Sequence, residues 1–81
     1  MSMTNLEKYN QIFAEVFSAK EEQLNADFDS QHVEGWDSVR QLSLTTAMED
    51  AFDIMLDADD IIEFNSYEKG KTILGKYEIE L

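Results

Sequence analysis

Ser38 follows Gly35-Trp36-Asp37, and this short run holds the residues best placed to do chemistry. A helix starting here has Asp37 as its N-cap, its carboxylate accepting a free N–H of the first turn, and Ser38 as its first residue. A serine at a helix start is usually only a local backbone partner. This one stands behind a tight turn at the positive end of a helix dipole. Unpaired N–H groups there stabilise a phosphodiester carried on an exposed hydroxyl. Other reactive residue types are scarce. There is no cysteine, which removes disulfides, thiolate zinc and thiol catalysis together, and His32 is the one histidine. Asp27, Asp29 and His32 lie close in sequence, and a solvated loop explains them better than a metal site. Gly70-Lys71-Thr72 echoes the end of a phosphate-binding loop, with Asn65 where that loop needs its first glycine. Asp57, Asp59 and Glu68 fit three EF-hand positions, but Ile62 replaces the turn glycine. No carboxylate pair can be argued into acid–base work without a pocket around it.

The elements that position Ser38 are helical. Proline is absent and only Gly35, Gly70 and Gly75 punctuate the 81 residues. Leu6, Tyr9, Ile12, Phe13, Val16 and Phe17 recur at spacings of three and four, one stripe of an amphipathic first helix. Thr4 and Glu7 form a capping box at its start. Residues 19 to 36 show no period and read as a long loop pinned by Leu24, Phe28 and Val33. The second helix runs from Ser38 to about Phe52 or Asp53, with Leu44, Met48, Ala51, Phe52 and Met55 as its core stripe. A short third helix spans roughly Asp57 to Ile62, capped by Asp57 and acidic in its first turn. The last helix follows Ser66 as N-cap and turns Tyr67, Gly70, Ile73, Leu74 and Tyr77 to one side. Gly70 inside it costs about 1 kcal/mol relative to alanine, a cost that close packing against a neighbour would justify. The expected fold is all-α: a small bundle of three main helices and one short one, a single domain over residues 1–81. Its expected core is Leu6, Phe13, Val16, Phe17, Leu44, Met48, Phe52, Leu56, Ile61, Phe64, Ile73 and Leu74.

Charge sets the class of partner. Eighteen Asp and Glu face six Lys and Arg, a formal net charge of −12. That excludes a grip on nucleic acid and disfavours docking on anionic lipid. The first residues, MSMTNLEKYN, carry no long apolar run and no cleavage signature, so a soluble, cytoplasmic monomer is expected. From Gln41 to Glu68 there is no Lys or Arg, while Glu49, Asp50, Asp53, Asp57, Asp59, Asp60, Glu63 and Glu68 are acidic. Val39, Leu42 and Thr46 fall on the face of the second helix opposite its core stripe, and Glu49, Asp50 and Asp53 continue that face. It reads as a docking surface, greasy at the serine end and negative beyond it. Trp36 is expected first to pack over the loop and fix the approach to Ser38, and second to touch a partner.

Gly35-Trp36-Asp37-Ser38-Val39, followed by Leu42, Leu44, Met48, Glu49 and Phe52, resembles the attachment region of acyl carrier proteins. That family opens its second helix with Asp-Ser-Leu and continues through an apolar, acidic helix to a Glu/Asp-rich stretch before Phe. Here the stretch is Ala47-Met48-Glu49-Asp50-Ala51-Phe52-Asp53. The resemblance extends over nearly the whole chain, and the Trp before Asp-Ser is similar to discrete carriers of biosynthetic gene clusters. It implies that a phosphopantetheinyl transferase moves 4′-phosphopantetheine from coenzyme A onto Ser38. The arm's thiol then holds an acyl or aminoacyl group as a thioester, which fits a chain without cysteine. It implies a role for Asp37 in orienting magnesium during modification. It also implies, as partners, a ligase that loads the arm and condensing or transferase enzymes that dock on the second helix. The protein itself would not be an enzyme. Val39 stands for the usual Leu, Arg40 stands where an acid or small polar residue is frequent, Ser43 where another acid is common, and Leu56-Asp57 where many relatives have a proline. The rival reading is an acidic helical adaptor or a weak divalent-ion binder whose Ser38 merely starts a helix.

Overall fold

Local capping decides where the helices begin. In the computed structural model, which describes residues 3–81, α1 spans Asn5–Phe17 and opens with the Thr4–Glu7 capping box. Ser18 ends it in the left-handed conformation. A single 3-10 turn, Glu21–Gln23, interrupts the long loop, whose Phe28 is buried and whose Leu24 and Val33 are half-buried. α2 spans Ser38–Phe52 and starts at Asp37, whose carboxylate accepts the Arg40 N–H. α3 is the six-residue helix Ala58–Glu63, and α4 spans Tyr67–Lys76 behind the cap Ser66. Among the described residues there is no strand, only one bridge between Asp29 and Ser66 that ties the loop to the start of α4. Three longer helices and one short one make the all-α bundle.

The core is an aromatic cluster more than an aliphatic one. Tyr9 and Phe13 of α1, Phe28 and Trp36 of the loop, Phe64 and Tyr67 lie buried together with Ile12, Leu44, Met48, Leu56, Ile73 and Leu74. Phe13 stands at its centre, with its ring centroid 5.0 Å from Tyr9, 5.3 Å from Tyr67 and 5.8 Å from Phe28. Rings at such separations gain from edge-to-face and offset contacts beyond simple burial. Gly70 lets α4 approach this cluster. A Cβ there would come within 2.2 Å of the Tyr9 hydroxyl and 2.6 Å of the Phe64 ring.

One residue of the expected core and two of the expected stripe of α2 differ. Leu6 lies in the first turn of α1, one turn short of the aromatic cluster, and remains 38% exposed. Met55 is 84% exposed because the chain leaves the helical path at Asp53, which is left-handed, so the stripe of α2 does not continue to it. Ala51 is exposed because the inward face of α2 is turned toward Gln41 and Thr45. Thr45 is fully buried, its hydroxyl donating back to the Gln41 and Leu42 carbonyls, which satisfies it inside the core. Asp57 begins α3 as expected but makes no side-chain cap; its backbone N–H donates to the Tyr77 hydroxyl instead.

Candidate functional site

The turn before Ser38 is fixed from both sides. Gly35 adopts φ +90°, a conformation that side-chain-bearing residues rarely take, and its carbonyl accepts the Asp37 N–H at 3.0 Å. Trp36 then plugs into the core, 4.6 Å from Phe17 and 6.1 Å from Phe13 between ring centroids. Its ring therefore belongs to the interior, and only the part that lines a neighbouring cleft is open to another molecule. Asp37 Oδ1 accepts the Arg40 N–H at 2.8 Å, doing the capping that a helix-start serine often performs. Ser38 is left exposed at the first position of a 15-residue helix.

Three features make this helix start receptive to a negative charge. α2 has no acid in its first turn, whereas α1, α3 and α4 all do. The Ser38 and Val39 N–H groups have no acceptor one turn earlier within the helix. The dipole of the longest helix ends there. Arg40 does not add to this attraction: its guanidinium donates to the Val16 carbonyl at 2.8 Å, near the C-terminus of α1, where orphan carbonyls favour a cation. That bond pins the serine end of α2 to α1.

Beside Ser38 lies a cleft of about 580 Å³ between α2 and α3, lined by Trp36, Asp37, Ser38, Gln41, Leu42, Ile61 and Ile62. Its walls are mostly apolar, and its size is within the range of small-ligand sites, roughly 300–1,000 Å³. The Gln41 amide bridges the two helices by donating to the Ile61 and Ile62 carbonyls at 2.8 and 2.9 Å. Residue-by-residue reading of the sequence missed Gln41, because nothing local marks a glutamine that will meet a helix end twenty residues away. Ile62, 69% exposed at the cleft rim, was missed as well, hidden beside the more buried Ile61.

Along the outer side of α2, Val39 is 73% and Leu42 59% exposed, and Thr46, Asp50 and Asp53 are exposed too. A shallow groove of about 460 Å³ lined by Leu42, Ser43, Thr46, Ala47 and Asp50 runs along this face. Glu49 stands apart from its neighbours. It is half-buried, and its carboxylate accepts the Leu56 N–H at 2.9 Å, tying the α2–α3 connection. α3 is held at its other side by Asp60, which accepts from Lys76 at 2.5 Å and from the Tyr77 hydroxyl at 2.6 Å. The Lys76 hydrogen bond, followed by that of Tyr77, draws the Asp60 carboxyl below the usual range, and the same carboxylate raises Lys76 and Tyr77.

The alternative sites dissolve into local structure. Asp29 accepts the Gln31 and His32 N–H groups and contacts His32 Nδ1 at 2.8 Å, which lowers Asp29 and raises His32. Among the described residues no three His, Asp or Glu are grouped to hold a metal. Gly70-Lys71-Thr72 lies within α4, and Asp57–Asp60 enters α3 rather than a calcium loop.

The family model of the phosphopantetheine attachment site matches residues 10–69. The chain belongs to this family. Its domains carry 4′-phosphopantetheine covalently on a serine and are modified by a transferase; they are carriers, not catalysts. Searches of the curated proteins and of the solved structures return no significant match. The matched span contains five serines: Ser18, Ser30, Ser38, Ser43 and Ser66. Ser18 is the left-handed end of α1, and the Ser66 hydroxyl accepts the Lys69 N–H as a cap. Ser30 pairs through its backbone with Asn65 in the loop, and Ser43 lies in the second turn of α2. Only Ser38 combines exposure, a helix N-terminus and the edge of an apolar cleft, so the residues of this carrier domain fit a phosphodiester-linked arm at that position. No helix among the described residues is long and apolar enough to cross a membrane.

Proposed function

We propose that Ser38 is the attachment residue, and that the protein is a single-domain, cytoplasmic, monomeric carrier of acyl or aminoacyl groups. The observation that carries this reading is the exposed Ser38 hydroxyl at the start of α2, inside the matched span and at the edge of the cleft. During modification Ser38 Oγ forms the new bond to phosphorus, the pyrophosphate bond of coenzyme A breaks and its nucleotide half leaves. The hydroxyl proton passes to the transferase. Asp37 Oδ1 is committed to the helix cap, and the other oxygen of that carboxylate would be the one left to help orient magnesium in that step. Once attached, 4′-phosphopantetheine supplies the terminal thiol on which the cargo is held as a thioester. The chain's own residues orient that attachment: Gly35 sets the turn, Trp36 anchors it and Arg40 fixes α2 against α1.

Val39, Leu42, Thr46, Asp50 and Asp53 form the partner face in this reading, with Trp36 and Glu49 supporting it from inside. The transferase, a loading ligase and the condensing or transferase enzymes that use the cargo meet this surface. The test is direct. The protein is incubated with coenzyme A, magnesium and a promiscuous phosphopantetheinyl transferase, and its intact mass is read. One phosphopantetheine increment is expected, absent in Ser38→Ala and retained in Ser43→Ala. An increment that persists in Ser38→Ala would move the attachment elsewhere.

A further inference from the structure

Trp36 is the only tryptophan, 8% exposed, and its indole Nε1–H is enclosed without an acceptor. It is the one buried side-chain polar atom of this kind among the described residues. Tyr9, Thr45 and Asp60, also buried, all have partners. An unpaired buried donor costs about 1–3 kcal/mol, and a buried indole N–H usually finds a partner. Packing alone does not account for it. A phenylalanine would still stack on Phe17 and Phe28, filling less of the space, and would leave no donor behind.

The residue that carries the orphan also lines the cleft beside Ser38, which brings the donor close to whatever occupies that cleft. The other polar side chain deep in that cleft, Gln41, spends its amide hydrogens on the Ile61 and Ile62 carbonyls. Leu42, Ile61 and Ile62 offer no donor. Asp37 only accepts, and the Ser38 hydroxyl loses its proton when the arm is attached, so in the modified protein Trp36 is the remaining side-chain donor among the walls, and an apolar group alone in the cleft would leave it unpaired.

We propose that the Trp36 indole N–H is a specificity-determining donor that pairs with a carbonyl oxygen lying in the cleft, either an amide carbonyl of the arm or the thioester carbonyl of its cargo. The inference rests on Ser38 as attachment site. Nε1 is covered in this structure, so pairing accompanies a small shift of the ring or of the α3 side chains over it. α3 is the wall suited to yield, being six residues long and held by side-chain bonds from α2 and α4.

A single indole makes the test clean. Nitrogen-15-labelled protein is compared in unmodified, arm-bearing and acyl-loaded forms, each verified by intact mass, and the one Nε1–H resonance is followed. It is expected to move downfield and to exchange with water several-fold more slowly after loading. A change on arm attachment assigns the acceptor to the arm, and a change only on acylation assigns it to the cargo. Trp36→Phe, with its helical spectrum checked, is expected to take the same mass increment but to release its acyl group to hydroxylamine several-fold faster. If the increment forms and the indole resonance stays the same in all three forms, the inference is overturned while the carrier reading stands. A resonance already downfield and protected in the unmodified protein, and unmoved by loading, indicates a buried water and overturns it too. No mass increment at all overturns the carrier reading itself.

Discussion

At the scale of single residues, Gly70 shows how tightly the core constrains the helix that closes it. Helix propensity alone favours alanine by about 1 kcal/mol. The structure opposes it, since a Cβ would press within 2.2 Å of the Tyr9 hydroxyl and 2.6 Å of the Phe64 ring. Neither neighbour can retreat cheaply. Both rings are fully buried, and Tyr9 is anchored by donating to the Tyr67 carbonyl. Overpacking of a closed core costs about 1–3 kcal/mol, so the clash outweighs the propensity gain. Gly70→Ala should lose up to about 2 kcal/mol net, and each kcal/mol lowers Tm by about 4–8 °C in a domain this size. Thermal melting followed by circular dichroism measures it. Tyr9→Phe removes the nearest atom of the clash, so the double variant should lose less than the sum of the two singles, while strict additivity would place the crowding elsewhere. Tyr9 stays un-ionised throughout, because burial drives its pKa far up.

At the scale of elements, α3 is the part whose stability is borrowed. Six residues are too few to hold a helix in water. Leu56 and Ile61 pack it, but polar ties from α2 and α4 hold its ends: Gln41 to its last carbonyls, Tyr77 to the Asp57 N–H, and Lys76 with Tyr77 to Asp60. The Asp60 carboxyl titrates lower in the folded protein than in the unfolded chain. Its contribution is therefore complete above the ordinary Asp value of about 3.9 and is lost as pH falls through the depressed value. Lys76 and Tyr77 are raised, so their contributions persist through neutrality and fade only in alkali. The stability gap between the protein and Asp60→Asn should be constant from pH 5 to 8 and shrink below about pH 4; a gap that widened in acid would contradict the assignment. None of these ties was legible in the sequence, since Asp60 and Lys76 belong to no common period and meet only through the fold. Helix starts were legible because caps are local: Thr4 with Glu7, Asp37 and Ser66 sit where their side-chain bonds form. The stripes of α1 and α4 were legible for the same reason. What periodicity misplaced depended on neighbours: Met55 beyond a left-handed turn, and Thr45 buried because it satisfies itself. Ser38 stood out only through its company of Gly35, Trp36 and Asp37, while the cleft beside it needed Gln41 and α3, which local pattern does not join.

At the scale of the whole molecule, the charge of −12 is concentrated where a partner would approach. From Gln41 to Glu68 no cation interrupts the acids, and Arg40, just before that stretch, is engaged with α1. Two forces then act on an incoming enzyme with different reach. Asp50 and Asp53 attract a basic partner over about a Debye length, roughly 10 Å at 0.1 M salt and 3 Å at 1 M. Val39 and Leu42 act only on contact and are indifferent to salt. The two can be separated with the transferase as probe. Asp50→Asn with Asp53→Asn removes two charges, and asparagine tolerates the left-handed backbone of Asp53. Its kcat/KM should fall several-fold at low salt and converge on the parent value near 1 M, since steering acts on the encounter rate. Leu42→Asp should keep the helical spectrum yet lose transferase efficiency at every salt concentration, because it places a charge in an apolar contact. If the double variant lost the same factor at low and high salt, Asp50 and Asp53 would be contact residues rather than steering charges. If Leu42→Asp loaded at the parent rate, the partner would have to approach Ser38 from another side of α2.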